Sequence, residues 1–231
     1  MKNNRQKYSG IFSRYKNNSN YQHNKIENIR INNILNLIYK KNNIVLDLGS
    51  WDGYISEKIK KKGNIVYGVD NSKEALIKAK NKGIITKLVN LGVNNLPFTS
   101  EYFDYVIAGE IIEHIYHTNF FLSEIHRVLK DKGKLIITTP NLASLGRRIL
   151  LLGGKNPAIE TSENEKNAGH VRYYVLESIK ELLKVNRFKI TEYCSDVVNF
   201  DNKGKFYNEY LARIFPQIGR TIILLCQKNF S

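Results

Sequence analysis

The sequence predicts an α/β domain built on a doubly wound, mostly parallel sheet, and three observations carry that prediction. Ile44–Gly53 reads I-V-L-D-L-G-S-W-D-G: an apolar run takes in the acid Asp47, then turns through Gly49 and Gly53 into a helical pattern. A buried parallel strand hands over to a helix in this way, and the glycines allow a tight turn and a close backbone approach that a Cβ would block. Val66-Tyr67-Gly68-Val69-Asp70 is a second apolar run closed by an acid. From Ile44 to about Pro140 strand and helix patterns then alternate, which argues for parallel strands with helices on both faces.

Taken in order, Ile26, Ile29, Ile34, Leu35 and Ile38 recur at helical spacing, so a helix leads into the first strand. Upstream, Tyr8, Phe12, Tyr15 and Tyr21 stand among polar residues, as a loosely packed arm or as a lid over a site. Strands are expected near 44–48, 65–69, 85–89, 104–109 and 134–139, and helices near 54–62, 72–82 and 118–130. Residues 141–186 interrupt the alternation. Leu142–Leu152 is an apolar and basic helical stretch; Gly153-Gly154 and a polar loop follow, and Gly169-His170-Val171-Arg172-Tyr173-Tyr174 leads into a helix at about 175–185. Late strands near 187–198 and 221–228 bring the sheet to seven. Without an internal repeat or a low-complexity linker, residues 1–231 read as one domain: a helical arm over 1–40, the alternating body, and an insertion over 141–186. Right-handed crossovers put the first two strand ends on one edge, where open α/β sheets bind ligands.

Composition narrows the class. Two cysteines, Cys194 and Cys226, make a disulfide framework unexpected and suit a reducing compartment. The first residues, Met1-Lys2-Asn3-Asn4-Arg5, are polar, and no apolar run is long enough for a bilayer, so a cytoplasmic protein is expected. The formal charge of +15 favours anionic partners: a small anionic molecule, nucleic acid, or an anionic membrane surface. Lys, Asn and Ile are over-used along the whole chain, so composition bias accounts for part of that surplus, and nucleic acid is not the favoured partner. No oligomeric state follows from the pattern.

With Leu96-Pro97-Phe98, Phe103-Asp104, Glu113-His114 and Arg127-Val128-Leu129-Lys130 added, the order of motifs resembles the class I S-adenosylmethionine (SAM)-dependent methyltransferases, in their small-molecule branch. The resemblance covers about residues 40–140 well and 165–231 more loosely. It implies a Rossmann-like sheet whose last strand, Thr221–Gln227, runs antiparallel, with SAM as cofactor and S-adenosylhomocysteine (SAH) as product. It places Asp47 near the donor's amino group and Gly49, Ser50, Trp51 and Gly53 in the loop beside its amino-acid tail. Asp70, with Asn71, falls at the ribose; an acid there can bond both hydroxyls. Glu110, after the fourth strand, joins the cofactor set. The bland alternatives are a helix N-cap or turn acid for Asp47 and an Asx turn before Ser72 for Asp70. Two departures stand out. Trp51 occupies the place of the family's usual third glycine, so the indole must turn outward or cover the site. No acid precedes Leu96-Pro97-Phe98 to meet adenine, leaving Asn90 or the backbone of Gly92 and Val93.

On the acceptor side, methyl transfer is an in-line displacement, and a hydroxyl acceptor also needs a base. His114 is the first expectation for that base; its alternative is a packing residue beside the cofactor. His170, Arg172 and Tyr173 form a second cluster, with His170 as base and Arg172 as a bidentate partner for a carboxylate or phosphate, or else a network that fastens the insertion to the sheet. Asn141 lies at the mouth of the same edge. No metal is expected: Glu113, His114 and His117 are close in sequence, but no further ligand stands at a recognisable spacing. The leading expectation is O-methylation of a sugar, glycan precursor or lipid-linked intermediate. The rivals are an RNA methyltransferase with Arg147, Arg148, Lys155 and Arg172 as first contacts, and a SAM-binding module without catalysis. The stripe Leu142, Leu145, Ile149, Leu150 and Leu152 with Arg147 and Arg148 could also lie in a headgroup layer.

Overall fold

The chain enters its sheet from helix α1 (Lys25–Asn36) and then alternates strictly: β1 (Ile44–Leu48), α2 (Tyr54–Lys61), β2 (Ile65–Asp70), α3 (Lys73–Asn81) and β3 (Ile85–Leu88). The computed structural model describes residues 24–161, 169–201 and 205–229; Tyr8, Phe12, Tyr15 and Tyr21 lie outside them. β4 (Phe103–Gly109) follows, then a 3₁₀ turn at Ile112–His114, α4 (Thr118–Val128) and the long β5 (Leu129–Pro140). The remainder comprises α5 (Leu145–Leu152), α6 (Leu176–Val185), β6 (Phe188–Cys194), a short ladder of β7 (Val198–Asn199) with β8 (Tyr207–Asn208), α7 (Glu209–Ile214) and β9 (Thr221–Lys228).

The seven-stranded sheet has the order β3-β2-β1-β4-β5-β9-β6. Six strands run one way, and β9 runs antiparallel to both β5 and β6. The expected Rossmann-like topology, last strand reversed, is therefore the observed one. Side chains alternate between two apolar layers, as the period of two requires. Leu46, Leu48, Val106, Ala108, Leu135, Ile137, Ile222 and Leu224 pack beneath α4 and α6. Val45, Ile107, Ile136, Ile223 and Leu225 pack beneath α1, α2 and α3. Each such side chain contributes about 1.5–3 kcal/mol on full burial.

Several motif residues turn out to hold loops in place. Arg127 donates to the carbonyls of Leu96 (2.9 Å) and Phe98 (2.8 Å), while Glu124 accepts from Leu96 N (2.7 Å) and pairs with Arg127. The Leu96-Pro97-Phe98 loop is thereby fastened to the end of α4. Asp104 accepts from Ile44 N (2.8 Å) and pairs with Lys130 (2.8 Å), joining the starts of β1, β4 and β5.

Differences from the sequence expectation have local causes. The helix expected over 118–130 stops at Val128, and β5 begins at once, because Lys132 (φ 58°) and Gly133 turn the chain before the strand continues. The strand expected over 187–198 ends at Cys194, since buried Asp196 leaves the sheet to accept from Val197 N, Thr221 N and Thr221 Oγ1 and to pair with Arg220. The helix expected from Leu142 begins at Leu145, because Asn141 Oδ1 accepts from Ala143 N and forms a turn there. On α1, Ile31 rather than Ile29 is in the core. On α5, Ile149, Leu151 and Leu152 are exposed. No helix among the described residues is long and apolar enough to cross a membrane. Burial pushes the Cys194 thiol up to about 11 and Cys226 higher still, so neither offers a thiolate at neutral pH.

Candidate functional site

The chain leaves β1 toward β2 and later returns to its other side at β4, so the carboxyl ends of β1 and β4 diverge and open a cleft at the switch point. Gly49 begins the loop that floors it. Its φ is +71°, and a Cβ there would lie 2.2 Å from Ile111 Cδ1, so a side chain would be strained and would have to displace Ile111. Gly49 N and Ser50 N both donate to Val69 O, tying the loop to β2. Trp51 follows in left-handed backbone (φ 47°), and its N–H donates to Asp70 Oδ2 at 3.0 Å. Trp51 thus adopts a backbone conformation that favours glycine, and the residue lines the cleft.

Asp47, Gly49, Ser50, Trp51, Asp70, Asn71, Glu110 and His114 all line this cleft. Asp70 closes β2, with Oδ1 accepting from Ser72 N at 2.9 Å and Oδ2 from Trp51 N. The Asx turn is therefore real, yet each oxygen keeps a second lone pair for a further donor. Burial holds the Asp70 carboxyl above its ordinary value despite these bonds. Asp47 is deeper, accepting from Ser56 Oγ at 2.5 Å; burial, opposed by that bond and aided by the charge of Asp70, pushes it up to about 7.

Gly53 stands behind the cleft instead of in its wall. It caps α2 in left-handed backbone, where a Cβ would meet Ala79 Cβ at 2.9 Å, so its role is close packing of α2 on α3. Gly92 and Val93 also lie outside the wall, and Val89, Asn90 and Leu91 take their place. The turn in which Val93 N and Asn94 N both bond Asn90 O carries the next two residues away, leaving Val93 exposed.

Arg30 is a wall residue the sequence reading missed. It is 1% exposed, donates from Nε to Glu27 Oε2 (2.9 Å) and from Nη1 to Thr138 Oγ1 (3.4 Å). Thr138 in turn donates to Glu110 Oε1 (3.0 Å). Burial pushes Glu27 up, but Arg30 and Arg220 together outweigh it and hold the carboxyl below its ordinary value. Glu110 has the opposite balance: burial outweighs Arg30, and its carboxyl is raised. Glu110 also has a φ of 54°, so two non-glycine left-handed residues, Trp51 and Glu110, face this cleft.

Beyond Glu110, the 3₁₀ turn presents Glu113 and His114. Glu113 is buried, accepts from Thr139 Oγ1 (3.0 Å), and is raised well above its ordinary value by burial and by Glu110. His114 Nδ1 faces Gly169 O at 3.1 Å, and burial lowers its pKa. His170 packs against it with ring centroids 4.9 Å apart; burial and His114 press its pKa down to about 4. The ligand atoms of Glu113, His114 and His170 lie within 4.8 Å of one another, so His170, not His117, supplies a third possible donor for a metal ion.

The other expected acceptor residues are differently employed. Arg172 donates to the carbonyls of Ile115 (3.2 Å) and Tyr116 (2.6 Å), which fastens the insertion to the 3₁₀ turn. Tyr173 accepts from Glu160 N (2.5 Å), and Glu160 in turn accepts from Gly169 N. Asn141 is 1% exposed and fully committed: its amide donates to Gln217 O and Gly219 O, and its oxygen accepts from Ala143 N. Loop anchoring is what these three residues do here, and both amide hydrogens of Asn141 are already given to backbone carbonyls.

Residues 46–137 match the sequence model of a methyltransferase domain. Over most of its length the fold superposes on a SAM-dependent methyltransferase from Thermotoga maritima, with TM-score 0.67, 17% identity and coverage of 95% of this chain and 99% of that one. Residues 46–137 are thus a methyltransferase domain, on a fold shared with SAM-dependent methyltransferases. A second such structure, from Methanosarcina mazei, gives TM-score 0.63 at 16% identity over 86% of this chain and 98% of that one. Among curated proteins, the mitochondrial ubiquinone biosynthesis O-methyltransferase of Mus musculus is 31% identical over 109 residues, 44% of this chain and 30% of that protein. The malonyl-[acyl-carrier protein] O-methyltransferase of Hamiltonella defensa is 31% identical over 105 residues, 46% of this chain and 41% of that protein. The match thus spans well under half of these two relatives' own lengths.

The cleft of this methyltransferase fits SAM, the family's cofactor. Asp47 and Asp70 end neighbouring strands, the floor is a glycine where a Cβ would collide, and Val89, Leu91 and Ile111 supply apolar surface. An ammonium set against Asp47 would favour the charged carboxylate that burial disfavours.

Proposed function

We propose that this methyltransferase moves a methyl group from SAM to an oxygen of a small or medium acceptor, such as a sugar, a glycan precursor or a lipid-linked intermediate. One observation carries the reading: an acid, Asp70, at the end of β2 and an imidazole, His114, after β4 line one cleft from either side of β1. Asp70 would hold the ribose hydroxyls on the lone pairs left by Ser72 and Trp51, Asp47 would serve the amino group, and Asn90 and Leu91 the base. When bound, SAM supplies an electrophilic methyl on a sulfonium. His114 Nδ1, facing a carbonyl oxygen, carries the ring proton, which leaves the lone pair on Nε2. Nε2 would take the proton of the acceptor's hydroxyl. His170, whose pKa is depressed to about 4, is too weak a base for that task and supports the His114 ring instead.

The names of the two curated relatives favour oxygen as the methylated atom. RNA is disfavoured because the cleft wall holds Asp47, Asp52, Asp70 and Glu110 against a single guanidinium, Arg30. The test is transfer of radiolabelled methyl from SAM into an extract of the source organism, wild type against Asp70→Asn. Asp70-dependent label in small polar or lipid fractions supports the reading. Label in RNA, or SAM binding with no label anywhere, overturns it in favour of an RNA enzyme or a non-catalytic module.

A further inference from the structure

Behind Glu110 lies a second cavity of about 410 Å³, a volume typical of small-molecule sites. Among the described residues Glu110 alone lines both this cavity and the donor cleft, so it forms their common wall. The second cavity is bounded by the start of α1, the end of β5, α5, the β7–β8 ladder and the residues that precede β9. Ile26, Pro140 and Leu150 give it apolar surface. Two lining residues hold buried polar atoms that meet no partner among the described residues: Nη1 of Arg147 and Oδ1 of Asn199. An orphaned donor and an orphaned acceptor in one cavity are two costs that a single ligand could remove.

The charges single out Arg147. Arg220, on the same wall, is already neutralised by Glu27 and Asp196. Among the described residues Arg147 has no carboxylate within ion-pair distance, and burial lowers its pKa, with Glu110, Tyr173 and Arg220 as its titratable neighbours. The helix carrying Arg147 explains the placement. Arg148 turns out and donates to Ala143 O, while Gly146 sits so close to Asn199 that a Cβ would come within 2.7 Å of its Nδ2. α5 is thereby held against β7, with Arg147 over the cavity.

We propose that this second cavity is the acceptor site and that it takes a small hydroxylated molecule bearing an oxyanion, either a carboxylate or a phosphate ester, anchored by Arg147. The proposal rests on the methyl-transfer reading above. The oxyanion accepts from Arg147 Nη1, a hydroxyl donates to Asn199 Oδ1, and the end to be methylated reaches past Glu110 into the donor cleft that His114 lines. The oxyanion role expected of Arg172 from the sequence passes to Arg147, since Arg172 is spent on backbone carbonyls.

The test is calorimetric titration of the SAH-loaded full chain with phenyl phosphate, benzoate and neutral phenol. At least one anion is expected to bind wild type about tenfold or more tightly than phenol, and which anion binds names the oxyanion. Arg147→Met is expected to weaken that anion about tenfold or more, Arg147→Lys less, with SAH affinity within about twofold of wild type in both. Retained SAH binding without anion binding, or anion binding unaltered in Arg147→Met, overturns the acceptor site alone. Failure of wild type to bind SAH overturns the donor reading and this proposal with it.

Discussion

Asp70→Asn separates ligand binding from folding, because the two effects have different sources. A hydrogen bond to a carboxylate contributes about 1.5–3 kcal/mol net, and one to a neutral group about 0.5–1.5 kcal/mol. The carboxylate of Asp70 offers lone pairs on both oxygens to the ribose diol, whereas an amide offers one neutral oxygen and turns its other end into a donor. The loss is about 2–4 kcal/mol, or about 30- to 1,000-fold in Kd. For the fold the sign is different. Burial raises Asp70 in the folded chain, so this group favours folding at low pH, and that contribution fades as pH rises through its ordinary carboxylate value. At neutral pH its charge therefore weakens the apoprotein, and Asn relieves that. Against this stands the bond from Ser72 N or Trp51 N that an amide nitrogen cannot accept, about 1 kcal/mol. The two nearly cancel, so the apoprotein Tm is expected to move by no more than about 2–4 °C. Calorimetric titration with SAH and scanning calorimetry read both quantities. In wild type, SAH at a hundred times Kd adds about 2.7 kcal/mol, or about 5–10 °C in Tm. SAH affinity within about threefold of wild type in Asp70→Asn would refute the placement of the ribose at Asp70.

Four further outcomes follow from the same geometry. Asp47 is raised to about 7, so apoprotein stability should fall as pH rises from about 4 to 7; Asp47→Asn should flatten that decline, read by urea denaturation at several pH values, while weakening SAH. His114→Asn should lower kcat about 10²- to 10⁴-fold with SAH affinity intact. Because burial lowers the His114 pKa, the acid limb of the wild-type pH–rate profile should lie below the ordinary histidine value, and a limb that stays put in the variant would assign the base elsewhere. Gly49→Ala drives a Cβ into Ile111 Cδ1 at left-handed backbone, so SAH binding should drop at least tenfold, with partial rescue by Ile111→Val, measured by titration. Arg127→Leu removes two carbonyl bonds and the Glu124 pair, which should cost about 2–3 kcal/mol in urea denaturation and leave SAH affinity unchanged.

The alternating body was legible in the sequence because its information is local and periodic. An apolar run of five residues between a helix and a glycine turn admits few other readings, and Asp47, Gly49 and Asp70 are placed by the strands they end. The departure at Trp51 was legible as a substitution, and its resolution was not: the left-handed φ that the tryptophan adopts is a property of the loop. Ile29 and Ile31 show the same limit on a helix, where a one-position error in phase sends the wrong isoleucine to the core. Gly53 was misplaced for a different reason. Left-handed glycines at a cap and at a ligand loop look alike in sequence, and only the proximity of Ala79 Cβ separates them.

Charge is where sequence reading failed most, and the failure has a physical pattern. Arg30 sits at an i, i+3 spacing from Glu27, which on a helix reads as a solvated surface pair. Here that pair is buried because Arg220, Asp196, Thr138 and Glu110 converge on it from segments eighty or more residues away. A buried guanidinium is tolerated only when such partners are brought to it, so no window of the sequence contains the reason for its burial. Arg147 is the converse case. It lies in a stripe of leucines that reads as a membrane-facing or core helix, while Ile149, Leu151 and Leu152 point outward and the arginine turns inward without a carboxylate to receive it. Arg30 and Arg147 stand near opposite faces of Glu110, the first completed by the fold and the second left open. That asymmetry is the ground for proposing an anionic acceptor anchored at Arg147, on the far side of Glu110 from the donor cleft.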